Sequence, residues 1–105
     1  MTYNKLVRDK VPETIMRRGG FPKTVLLDDT DYFEALNQKL TEEVDEYLEN
    51  YNVEELADIL EVIYALLKYK NICLEDFESM RLRKQKERGG FDKRILLVEV
   101  EDARN

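Results

Sequence analysis

The sequence predicts a mostly α-helical bundle, with room for a small two-stranded β element drawn from residues 23–27 and 94–100. Three observations carry that reading. Apolar residues recur at spacings of three and four over two long central segments, the period of an amphipathic helix. The charged share of 38% beside an apolar share of 43% suits a small helical protein with much solvated surface. Two double glycines, Gly19-Gly20 and Gly89-Gly90, punctuate the chain where helical patterns stop. At 105 residues there is room for one hydrophobic core, so residues 1–105 are read as a single helical domain.

The elements follow in order. Val11 to Arg18 forms a short helix, with Pro12 tolerated in its first turn. Lys23-Thr24-Val25-Leu26-Leu27 favours a strand, and Asp28 to Asp31 offers capping carboxylates for the next helix. That helix runs from about Tyr32 to Glu49, with a stripe of Phe33, Leu36, Leu40, Val44, Tyr47 and Tyr51. Asn50-Tyr51-Asn52 makes a turn, and Asn52 with Glu55 three residues on has the form of a capping box. The following helix, about Val53 to Lys70, is apolar over most of its circumference and must be covered on several sides. A last helix, about Leu74 to Arg88, carries a narrow stripe of Phe77, Met80 and Leu82. Arg18 to Leu27 and Arg88 to Leu97 agree at seven of ten positions, each reading as helix end, double glycine, aromatic and strand. The echo fits a two-stranded sheet or the reuse of one helix-stop device.

Composition excludes several functions. The single Cys73 leaves no internal disulfide, and without His the usual zinc sites are excluded. Acid–base chemistry must then come from carboxylates, Lys, Tyr or metal-bound water. A net charge of −6 argues against nucleic-acid binding. The longest apolar run, Val62 to Leu67, is too short to cross a bilayer, and no signal peptide is legible, so a cytoplasmic setting without membrane partners is expected. Thr41 to Leu67 holds nine acidic residues and no basic one, whereas Lys68 to Arg94 holds nine basic residues against five acidic. Such an arrangement suits either two attracting surfaces or a site that holds a divalent cation and an anionic substrate together.

If the two central helices form an antiparallel hairpin, residues at matching height have numbers summing to about 101. Glu43 is then level with Asp58, and Glu46 with Glu55. A rise of about 1.5 Å per residue brings all four within roughly one turn along the axis. Glu43 lies on the flank of the Leu40–Val44–Tyr47 stripe, and Glu55 projects among the directions of Ile59, Val62 and Leu66. A Glu-rich helix surface is commonly a solvated face, and Glu55 has a capping role open to it. Matching levels, apolar flanks and the absence of basic residues between them point instead to a divalent metal with oxygen ligands, Mg²⁺ first and Mn²⁺ as the alternative. On the last helix Arg81, Lys84 and Arg88 share one edge, suited to phosphate.

The run Lys39-Leu40-x-Glu42-Glu43-x-x-Glu46, followed by Glu55-x-x-Asp58, resembles the metal-binding signature of the all-α nucleoside triphosphate pyrophosphohydrolases. These include the MazG-like, dimeric dUTPase and phosphoribosyl-ATP pyrophosphohydrolase families. The opening Tyr3 to Pro12 and the closing Arg88-Gly89-Gly90-Phe91 are similar to a MazG-like subgroup related to phosphoribosyl-ATP hydrolases. The resemblance spans nearly the whole chain. It implies Glu43, Glu46, Glu55 and Asp58 as Mg²⁺ ligands, with Glu42 and Glu43 as catalytic carboxylates. It also implies Lys84 and Arg88 as a phosphate-facing pair, and with Lys39 of the same run and Arg81 of the cationic edge they make up the expected substrate-binding residues. The implied reaction hydrolyses a nucleoside triphosphate to the monophosphate and pyrophosphate in a homodimer or homotetramer, as housekeeping of the nucleotide pool. Only eight residues separate Glu46 from Glu55, a short connection for these families that fits a tight hairpin. Two other readings stay open: phosphoribosyl-ATP hydrolysis in histidine biosynthesis, and a helical interaction module without activity.

Overall fold

The computed structural model describes residues 4–101. Four helices appear in order: α1 (Val11–Arg17), α2 (Asp29–Asn50), α3 (Val53–Tyr69) and α4 (Leu74–Arg88). The chain divides into two compact units, one ending at Cys73 and the other beginning at Leu74.

The first unit is organised by the α2–α3 hairpin. At the start of α2 the Asp28 carboxylate accepts from the Asp31 N–H at 2.8 Å, satisfying one of the donors a helix leaves unpaired there. Tyr51 ends the helix in the left-handed region (φ 57°), its N–H donating to the Tyr47 carbonyl. The connection is so short that α3 must run back along α2. Phe33 therefore stacks on Tyr69 at 4.8 Å between ring centroids, at the end opposite the turn. Those two numbers sum close to 101, so the expected register holds.

Leu36, Val62 and Leu67 are the buried apolar residues of the hairpin. Leu36, Leu40, Glu43 and Tyr47 follow the four–three–four spacing of a helix–helix seam, as do Glu55, Ile59, Val62 and Leu66 on the facing helix. Glu43 is thus in the seam itself, not on its flank, and is only 7% exposed; Val44, expected in the stripe, is turned outward at 36%. The expected capping box is absent. The Asn52 N–H that Glu55 would have accepted is taken by Asn50 Oδ1 at 2.9 Å, and the Asn52 side chain makes no cap hydrogen bond. Glu55 is thereby free of the capping-box role.

No strand forms among the described residues. Residues 23–27 and 94–100 are irregular, with Leu26, Ile95 and Leu96 largely exposed. Strand propensity without a ladder partner does not fix an extended backbone, and a two-stranded ribbon is marginal in water. What the echoed segments share is their glycines: Gly19 and Gly89 both stand at positive φ (88° and 83°) directly after helix ends. Each copy is a helix stop, since a side chain there would strain the left-handed backbone. In the second unit α4 buries no residue; Phe77 is half-buried, while Met80 and Leu82 are exposed.

Candidate metal centre

The hairpin register carries the carboxylates together. Oxygen atoms of Glu43, Glu55 and Asp58 lie within 4.8 Å of one another, and so do those of Glu42, Glu43 and Glu46. Glu43 belongs to both triads and stands at their shared centre. Its position in the seam explains this, because only the seam is within reach of the facing helix.

Three cations answer the five carboxylates. Lys39, 16% exposed, reaches Glu43 Oε1 at 3.2 Å and Glu42 Oε2 at 3.3 Å from one turn earlier on α2. Lys5 contacts Glu42 Oε1 at 2.9 Å, and Arg8 Nη2 contacts Asp58 Oδ1 at 2.6 Å. If all eight groups are ionised, two negative charges remain uncompensated. Two oxygens, Glu43 Oε2 and Glu55 Oε2, are buried without a hydrogen-bond partner. Buried polar atoms are ordinarily paired, and leaving a charged one bare is costly. A hard divalent cation supplies both what the charge balance lacks and what the two orphaned oxygens need. The donor set therefore fits Mg²⁺, or Mn²⁺ in its place.

The two adjacent glutamates titrate in opposite directions. Burial raises the Glu43 pKa above the ordinary glutamate value, and the nearby charges of Glu46 and Asp58 add to it, against the hydrogen bond from Lys39. Burial acts the same way on Glu42, but the hydrogen bond from Lys5 and the charge of Lys39 outweigh it and hold that carboxyl below the usual range. Lys5 is raised in turn, first by its hydrogen bond to Glu42.

Of the residues expected at the site, Lys39, Glu42, Glu43, Glu46, Glu55 and Asp58 converge in the first unit. Arg81, Lys84 and Arg88 belong to the second. There Arg81 is engaged on its own helix: its guanidinium grips both oxygens of Glu78. Lys84 and Arg88 are exposed one turn apart. If they hold phosphate, Lys84→Ala or Arg88→Ala should lower kcat/KM by about ten- to a hundredfold, as for loss of a charge-assisted contact. Metal affinity should not change, and steady-state kinetics beside a metal titration measure both. The sequence leaves open whether the segment of Lys5 and Arg8 joins the site; the structure brings both side chains to its carboxylates.

Comparison of the chain with protein-family models, with curated proteins and with solved structures finds no match.

Proposed function

We propose that the chain is a Mg²⁺-dependent nucleoside triphosphate pyrophosphohydrolase, releasing a nucleoside monophosphate and pyrophosphate in clearance of unwanted nucleotides. The observation that carries the reading is Glu43: a seam carboxylate with an unpartnered buried oxygen, shared by one acidic triad within α2 and a second that spans α2 and α3. The signature from Lys39 to Asp58 supports it.

Glu43, Glu46, Glu55 and Asp58 would hold the ion, which when bound polarises phosphate oxygens and acidifies water. Glu42, kept ionised by Lys5 and Lys39, is placed to accept the proton of the attacking water, although those same cations weaken it as a base. The bond from water oxygen to the α-phosphorus forms as the bond to the bridging oxygen breaks, and pyrophosphate leaves with that electron pair. Lys39 keeps Glu43 oriented.

Self-association belongs to the same reading. Leu56, Leu60 and Tyr64 form an uncovered stripe along α3, each at least 40% exposed, and Leu48 on α2 is 56% exposed. Such a contiguous apolar face fits a homodimer or homotetramer. Light scattering should give a multiple of 12.5 kDa at micromolar concentration; the monomer mass refutes the assembly.

A nucleotide panel with and without Mg²⁺, phosphoribosyl-ATP included, tests the activity. Pyrophosphate appearing only with the metal is the expected result. No release from any member, or orthophosphate in its place, overturns the proposal.

A further inference from the structure

The cations at the mouth of the acidic cluster do not come from the helices that build it. Lys5 and Arg8 lie on the irregular stretch before α1, and between them they reach both sides of the hairpin: Glu42 on α2 and Asp58 on α3. The Val11 N–H donates to the Arg8 carbonyl at 3.0 Å where the helix begins, which ties the backbone of Arg8 to α1. Their side chains are another matter. Lys5 is 43% and Arg8 57% exposed, against 16% for Lys39, which is enclosed with Glu43.

Ion pairs this exposed contribute little to stability, so holding the hairpin together is a poor account of them. Their placement is informative in another way. Both contact carboxylates of a cluster whose orphaned oxygens, Glu43 Oε2 and Glu55 Oε2, call for a divalent ion. Arg8 and that ion would draw on the same Asp58 carboxylate. A polyphosphate arriving with the ion offers both side chains a new acceptor of higher charge. Arg8 is suited to it, because a guanidinium fork matches two oxygens of one phosphate.

We propose that Lys5 and Arg8 form a clamp that leaves the carboxylates and closes on the phosphate chain of the bound nucleotide. The inference rests on the metal-dependent nucleotide reading and adds the N-terminal segment to its binding surface. In the metal-free chain the two cations sit on Glu42 and Asp58 as counter-ions; in the loaded site they face phosphate oxygens.

Calorimetric titration of the full chain tests the clamp, with Mg²⁺ alone and then with inorganic tripolyphosphate at saturating Mg²⁺. The proteins compared are wild type, Lys5→Gln, Arg8→Gln and, as a control on the same segment, Lys10→Gln. Lys5→Gln and Arg8→Gln should each weaken tripolyphosphate by about tenfold or more, the loss of one charge-assisted contact. Mg²⁺ alone should bind them as tightly as wild type or more tightly, because a competing cation is gone. Lys10→Gln should match wild type, and Arg8→Lys should recover part of the lost affinity. Unchanged tripolyphosphate affinity with tighter Mg²⁺ binding reduces the pair to counter-ions and overturns the clamp. Parallel loss of both affinities with a lower melting temperature assigns them to the fold and overturns it equally. A wild type that binds neither probe removes the nucleotide reading itself, whereas a wild type that binds both with indifferent variants removes only the clamp.

Discussion

Glu43→Gln is expected to stabilise the metal-free protein while lowering Mg²⁺-dependent hydrolysis by about a hundredfold or more, beyond what loss of a supporting residue around a metal costs. The wild-type carboxylate stands in the seam at 7% exposure, with one oxygen unpartnered and Glu46 and Asp58 beside it. A neutral amide of the same shape removes the burial cost of the charge, and its oxygen still accepts from Lys39. The sign of the pH dependence follows. Burial raises the Glu43 pKa above the ordinary glutamate value of about 4.5, so folding favours the protonated form. This contribution is fully present below pH 4.5 and is lost as pH rises through the higher folded-state pKa. Wild type and variant should therefore melt alike in acid, and the variant should pull ahead as pH rises through that window. Thermal melts across the pH range without metal give the answer. A variant that is less stable than wild type at neutral pH refutes the stored repulsion.

The two central helices, their antiparallel register and the convergence of Glu43, Glu55 and Asp58 were legible in the sequence, because 3.6-residue periodicity and a two-residue turn leave few other arrangements. The placement of Glu43 in the seam was not. Val44 is the better hydrophobe, and local pattern assigns it to the stripe; the spacing from Leu36 through Leu40 shows the seam passing through the acid. Glu55 had a capping role open to it that Asn50 fills, a competition between two side chains for one N–H that propensity does not resolve. The apolar runs 23–27 and 94–100 read as strands because composition reports a preference for extended backbone, whereas a strand also needs a partner. Lys5 and Arg8 were left open as site residues for a different reason. They contact acids 37 and 50 positions away, and long-range pairing of this kind leaves no periodic trace in a single sequence.

Glu55→Gln separates a metal centre from a solvated acidic face, and its effect on the metal response should be large. Because Asn50 occupies the Asn52 N–H, the substitution disturbs no helix cap; it changes one charge beside Glu43 and Asp58. Without metal, the variant should melt at or above the wild-type temperature, since an amide can donate to those neighbours where the carboxylate only repels them. With Mg²⁺ at a hundred times its Kd, wild type should gain about 2.7 kcal/mol from binding to the native state alone. For a chain of this size that corresponds to roughly 10 °C or more. The variant presents one fewer anionic oxygen to the ion and leaves its site with weaker charge, so its shift at the same Mg²⁺ concentration should be less than half as large. Glu61→Gln, an exposed acid further along α3, should shift as wild type does and controls for nonspecific screening. Equal shifts in wild type and Glu55→Gln would take Glu55 out of the ligand set, and no shift in any of the three proteins would reduce the whole cluster to acids partly neutralised by Lys5, Arg8 and Lys39.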